Sequence, residues 1–288
     1  MNYYKQIIII GAGKIALECL KEVENKFENT IGVVLYEDNS LSSFRVYADK
    51  KEYIVCDSTS KKDIDTYFNS IEENTLIISA NNNFLFTEKI INKENLTIIN
   101  FHNALLPSYK GRNAQTWVIF NEEKKTGITW HLVNEKVDDG RILIQKEIPL
   151  DTKITAIKLT NQLMVLGIKC FKELLPKLLN SEKISFTPIE LFPLNDKIYY
   201  SKKMPNNGIL DLEWSIDKIS AFLRSLDYSF FAFFPSSKVS INGEFEEIKS
   251  YKILKLEDPI QKKEISISSN KVIIKENNLK IEINCNER

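Results

Sequence analysis

Two histidines, four cysteines and no surplus of either charge mark what this 288-residue chain does without. Cys19, Cys56, Cys170 and Cys285 lie far apart with no Cys-x-x-Cys pair. That spacing argues against a disulfide framework or a thiolate zinc site and fits reduced thiols packed as small apolar side chains. Lysine plus arginine and aspartate plus glutamate number 39 each, so no net field draws the molecule toward nucleic acid or anionic lipid. The opening MNYYKQIIII lacks the basic start and longer apolar core of a secretory signal, and no apolar run is long enough to span a bilayer. These absences predict a cytoplasmic location with no metal and no membrane partner, and they make nucleic acid an unlikely one. Internal repeats and low-complexity tracts are missing as well.

What is present is a strong alternation in the first hundred residues. Short β-branched runs, QIIII, IGVVLY and YIVCD, are separated by amphipathic stretches such as residues 16–23, and further strands are expected at 76–79 and 97–101, with a helix around 86–91. This βαβ pattern predicts an α/β, Rossmann-like, mostly parallel sheet with flanking helices, whose ligands collect at the carboxyl ends of the strands. A helix carrying Trp117 and Phe120, two strands around a turn with Asp138, Asp139 and Gly140, and a long amphipathic helix over 155–179 complete an expected N-terminal domain, 1–182. Proline and the Asn206-Asn207-Gly208 triplet mark 183–212 as a linker. Alternating runs such as KVSING, EISISS, KVIIKE and LKIEIN then predict a small β-rich, barrel-like domain over 213–288, preceded by a helix capped at Ser215. The aromatic run from Phe230 to Phe234 reads as core or interface, and exposed aromatics there would suit a homodimer.

The chemistry-bearing residues concentrate in IINFHNALLPSYKGRN, 98–113, and KVDDGRI, 136–142. Asn100 and His102 stand at i and i+2 of a strand and so share one face, and Pro107 and Gly111 end the strand just beyond them. Asp138 and Asp139 share a turn expected at the same end of the sheet and compete for the carboxylate role, the other then being turn-forming, and His131 reads as a packed strand residue facing the helix layer. A separate signal, Gly11-Ala12-Gly13-Lys14-Ile15-Ala16, satisfies the G-x-G-x-x-G/A pattern that lets a helix N-terminus meet a phosphate, with Glu37 or Asp38 placed for a ribose hydroxyl. Taken alone it would name a nicotinamide-dependent oxidoreductase, or simply a tight βα turn.

Asn100, His102, Leu105-Leu106-Pro107, Gly111 and Asp138-Asp139-Gly140, with the surrounding KKTGITWHLVNEKVDDGRIL, resemble the folate-dependent formyltransferases. The resemblance covers about residues 1–180 and departs at Asn82-Asn83 and Ala114-Gln115. It implies the formyltransferase fold and transfer of a formyl group from the co-substrate 10-formyltetrahydrofolate to a primary amine, with Asn100, His102 and Asp138 catalytic. The folate is then expected against Asn83, Phe84, Leu85, Phe86 and Leu105 and the stretch holding Asn134, Val137 and Asp139. Gly11, Gly13, Lys14, Tyr109, Lys110, Arg112 and Asn113 are expected to serve the acceptor, with the GRNAQTW segment similar to the amino-sugar branch and reaching toward a pyrophosphate. Three acceptors remain open, a nucleotide-linked amino sugar, a small amine and methionyl-tRNA, and the balanced charge counts against the last. Whether His102 or Asp138 takes the amine proton is also open.

Overall fold

A computed structural model describes residues 3–37, 42–180, 187–189, 197–229, 231 and 233–285. The chain divides into two compact units interleaved in sequence, one holding Met1–Gly111, Thr126–Ile148 and Asn161–Ile198, the other Arg112–Lys125, Pro149–Thr160 and Tyr199–Arg288. Among the described residues, no helix is long and apolar enough to cross a membrane.

The first unit is built on β1 (Gln6–Gly11), β2 (Thr30–Tyr36), β3 (Ile54–Ser58), β4 (Thr75–Ala80) and β5 (Leu96–His102), interspersed with α1 (Gly13–Lys26), α2 (Ser43–Lys50), α3 (Lys61–Ser70) and α4 (Glu88–Ile91). Two-residue β6 (Lys110–Gly111) and α5 (Ala114–Phe120) precede β7 (Lys125–Leu132), β8 (Ile142–Pro149) and α6 (Ala156–Leu179). The sheet runs β3-β2-β1-β4-β5-β7-β8, with β1 to β5 parallel and β7 antiparallel to β5. Central strands read as unbroken apolar runs because helices cover both faces, so β4 is buried at every position while edge strand β3 alternates. One face of the core joins Ile8, Ile10, Ile77 and Ile98 to Ile64, Phe68 and Phe84. On α6, Gly167 lets the helix settle onto Phe101, whose ring would lie 2.2 Å from an added Cβ, and the Gly167 carbonyl accepts from Trp130 Nε1 at 3.0 Å.

The second unit adds β9 (Ile198–Tyr199), β10 (Ile209–Leu210), α7 (Ile216–Ser225), β11 (Lys238–Ile241), β12 (Glu244–Glu247), β13 (Ser250–Ser268) and β14 (Lys271–Asn284). Ser215 caps α7 by accepting from the Lys218 amide, and α7 packs on α5 through the Phe120 and Phe222 rings, 6.4 Å apart. That packing draws 112–125 out of a domain expected to run unbroken to 182. Among the described residues the strands form an open β10-β11-β12 sheet and a separate two-stranded β13-β14 ribbon. KVIIKE and LKIEIN belong to one strand, in which Asn277 is left-handed (φ 51°) and pairs with Ile260, while the extra residues of the irregular register lie on β13.

Candidate active site

β5 ends in the polar pair anticipated from its sequence. Neighbouring strands set its surroundings, for Asn100 lies in register with Ser79 on β4 and with His131 on β7. Asn100 Oδ1 accepts from Ser79 Oγ at 2.8 Å, while Nδ2 stands 3.2 Å from His131 Nε2 and 3.4 Å from Asp138 Oδ1. His102, 5% exposed, donates from Nε2 to the Tyr109 carbonyl at 2.9 Å and turns Nδ1 toward Asp138 Oδ2 at 3.4 Å. A carbonyl can only accept, so Nε2 keeps its hydrogen and Nδ1 is the ring atom that can take up a proton.

Asp138 is held from three sides. Its backbone is left-handed (φ 49°), Oδ2 accepts from the Gly111 amide at 2.7 Å, and Oδ1 lies 3.4 Å from His131 Nε2. Burial alone would push its carboxyl up, but the His102 imidazole and the Gly111 amide hold it well below the usual carboxylate range. The turn around it is tight. A Cβ on Gly140 would meet the Leu132 carbonyl oxygen at 1.7 Å, and Asn134 closes the loop by donating to the Asp139 carbonyl at 3.1 Å.

Other anticipated residues fall in different places. Lys110 is 6% exposed and its ammonium lies 2.5 Å from Asp139 Oδ1. It is a buried, paired cation that ties the strand-end segment to the Asp138 turn, not an exposed one reaching outward to a pyrophosphate. Asp139 is the other half of that tie. Arg112 and Asn113 belong to the second unit, where the Arg112 amide donates to the Tyr199 carbonyl at 2.7 Å and Asn113 Nδ2 to the Ser201 carbonyl at 3.2 Å. Tyr109 is left-handed (φ 59°) and contributes its carbonyl to His102. Phe84 is buried among Tyr36, Phe68 and Phe86, whereas Asn83 and Leu85 are exposed, Leu85 at 62%; Val137 is exposed and Leu105 half-buried. Gly11 and Gly13 form the turn after β1, with Lys14 exposed, and Gly11, Ala80 and Phe101 share one register row across β1, β4 and β5. Two strand spacings put that turn roughly 10 Å from the end of β5. Asp38 lies outside the described residues.

His131 is the residue that sequence reasoning missed. It does not face a helix layer, because the antiparallel β5-β7 register sets it directly opposite Asn100, where it is 2% exposed and within 3.4 Å of Asp138. Ser79 carried no signal in the sequence at all.

A buried carboxylate, two imidazoles and an oriented amide at the carboxyl end of β5 are the kinds of group that acyl-type transfer uses. The chain belongs to the formyl transferase family, whose model matches residues 23–175. It is 29% identical over 178 residues to the GDP-perosamine N-formyltransferase of Brucella melitensis, a match covering 62% of this chain and 65% of that protein. It is 28% identical over 204 residues to the methionyl-tRNA formyltransferase of Clostridioides difficile, covering 64% of this chain and 65% of that one. This chain therefore spans just under two thirds of either relative. Among solved structures, the sugar 3N-formyl transferase WlaRD, determined in the presence of dTDP and 5-N-formyl-THF, shares the fold with a TM-score of 0.73 at 19% identity over 99% of both chains. The N-formyltransferase of Helicobacter canadensis, in complex with folinic acid and dTDP-3-aminofucose, gives 0.71 at 18% over 96% of this chain and 98% of that one.

Proposed function

We propose that this protein moves a formyl group from 10-formyltetrahydrofolate to the primary amine of a nucleotide-linked amino sugar. The observation that carries the reading is the convergence of Asn100, His102 and Asp138 at the end of β5. In such a transfer the amine nitrogen bonds to the formyl carbon, the bond from that carbon to the folate nitrogen breaks, and the amine loses a proton. Negative charge gathers on the formyl oxygen, where the Asn100 amide can donate; one such donor is worth on the order of 3 kcal/mol. Asp138, held so acidic, is a weak base. His102 Nδ1 is the better proton acceptor, and Asp138 beside it stabilises the imidazolium that results. The residues present suit a flat ring carrying polar edges, for Leu85 and Val137 are exposed apolar side chains and Asn103 Oδ1 is buried without a partner one residue after His102.

Acceptor choice rests on charge. A chain of zero net charge lacks the phosphate-neutralising surplus that tRNA demands, while an amino sugar needs only local contacts. Resemblance to a GDP-perosamine N-formyltransferase supports the same acceptor class. Mass spectrometry after incubation with 10-formyltetrahydrofolate and a panel of nucleotide amino sugars, small amines and methionyl-tRNA tests both halves. A formylated nucleotide sugar is expected. Formylation of methionyl-tRNA alone would overturn the acceptor, and no formylated product from any amine would overturn the reaction.

A further inference from the structure

An amide is a two-faced group, and a half-turn of Asn100 about its last bond would offer a carbonyl where a donor is required. Two backbone groups, far apart in sequence, settle which way it faces. On one side the Leu132 carbonyl, which can only accept, lies 2.8 Å from His131 Nδ1. Nδ1 therefore carries the hydrogen, and the neutral ring presents the lone pair of Nε2 to Asn100 Nδ2 at 3.2 Å. On the other side the Phe84 amide, which can only donate, reaches Asn82 Oδ1 at 2.9 Å. Asn82 Nδ2 is thereby turned toward the Phe84 carbonyl at 3.0 Å and Ser79 Oγ at 3.3 Å. With its oxygen receiving that hydrogen, the Ser79 hydroxyl is directed to donate to Asn100 Oδ1 at 2.8 Å. Ser79, Asn100 and His131 form one register row across β4, β5 and β7, and both outer members are buried at 2% exposure.

We propose that His131, as the neutral Nδ1–H tautomer, and Ser79, backed by Asn82, are positioning residues that lock the Asn100 amide with its N–H groups toward the reacting centre. The inference rests on the reading of Asn100 as the donor to the formyl oxygen, and it deepens that reading. One Nδ2 hydrogen is committed to His131. The other spans 3.4 Å to Asp138 Oδ1, a long contact, and is the one that can be exchanged for the formyl oxygen. The competing arrangement is an imidazolium at 131 donating from Nε2 to Asp138, 3.4 Å away; it would set donor against donor at Asn100 and favour the flipped amide. Asn82, in one of the two segments where the chain departs from the formyltransferase resemblance, acquires a role as the outer anchor.

Two measurements test this separately from the proposed reaction. The first needs no substrate. With only two histidines in the chain, 15N-histidine NMR of the full-length protein is assigned by loss of one signal set in His102→Ala. Neutral His131 with the hydrogen on Nδ1 at pH 7 is expected, and an Nε2–H tautomer or an imidazolium would overturn the proposal whatever the enzyme does. The second is kinetic, on variants that keep the wild-type melting profile. Ser79→Ala should lower kcat roughly tenfold with the KM for 10-formyltetrahydrofolate within about twofold, since a misaimed donor weakens the transition state rather than binding. Ser79→Thr, which keeps the hydroxyl, should recover most of the loss, and on an Asn100→Ala background Ser79→Ala should cost nothing further. A full additive loss on that background would overturn the proposal while leaving formyl transfer intact. A wild-type protein that formylates no amine would sink the proposed function, with the tautomer result still deciding how Asn100 is held.

Discussion

Two strand ends of one parallel sheet, β1 and β5, carry the two signals that stood out in the sequence, and they differ in what they bury. At the end of β1 are glycines, a backbone turn and an exposed Lys14; at the end of β5 are His102, His131 and Asp138, all shielded from solvent and partnered. A glycine turn reports a local backbone requirement that any close βα connection shares. Buried polar groups are different. Each costs several kcal/mol unless its partners are supplied, so a cluster of them persists only where the surrounding strands provide those partners. The motif with the better-known pattern is thus the weaker guide, and the cost of burial is the stronger one.

The sharpest way to break that comparison is kinetic. His102→Ala and Asp138→Asn should each lower kcat at least about a hundredfold with the fold retained, whereas Lys14→Ala should raise the KM for the acceptor and leave kcat within a few-fold. Steady-state kinetics with 10-formyltetrahydrofolate and a formyl-accepting amino sugar separate the two. An equal collapse of kcat at Lys14 would erase the distinction between the strand ends.

Stability should show the reverse ranking. Gly11 lies so close to β4 that an added Cβ would stand 1.9 Å from the Ala80 carbonyl oxygen, which is backbone and cannot swing aside. Gly11→Ala should therefore cost about 2 kcal/mol of overpacking strain in urea melts. A melt within error of wild type would mean that the β1 turn is looser than the register of β1 and β4 implies.

Legibility in the sequence follows the same line. The parallel sheet was readable because unbroken apolar runs have no other comfortable home, and the pairing of Asn100 with His102 was readable because i and i+2 share a strand face, whereas the preference for Asp138 over Asp139 came only with the formyltransferase resemblance. His131 and Ser79 were not, since both owe their place to strands pairing at long range, Ser79↔Asn100 and Asn100↔His131, which no local pattern encodes. Lys110 beside a glycine reads as an exposed cation until its buried partner Asp139 comes in from 29 residues away. Asn277 likewise looks like the tip of a turn but is a left-handed residue inside one long strand.

Acid titration sharpens the contrast at the site end. Asp138 is depressed in the folded protein, so its contribution is fully present above the ordinary carboxylate range and is lost as pH falls through the folded value. The stability gap between wild type and Asp138→Asn should be constant above about pH 5 and narrow by on the order of 1 kcal/mol by about pH 3. Urea melts at the two pH values measure it. A gap that stays constant would mean that Asp138 is not held ionised by His102 and the Gly111 amide.

The smallest effect lies in the ribbon of the second unit, where the backbone rather than chemistry sets the requirement. Along β14, Val272 and Ile274 are buried, and so are Ile281 and Ile283. Those two pairs are an odd number of positions apart, from 274 to 281, so in a regular strand they would point to opposite faces. The irregularity at Asn277 lets both pairs enter one core, and asparagine is among the few residues that accept the left-handed angle there (φ 51°). Asn277→Val, which strains a β-branched side chain in that conformation, should cost about 1 kcal/mol, and Asn277→Gly should be close to neutral. Equal melting temperatures for the two variants would show that the ribbon holds its register without the left-handed residue, and that the one-face burial of β14 has another cause.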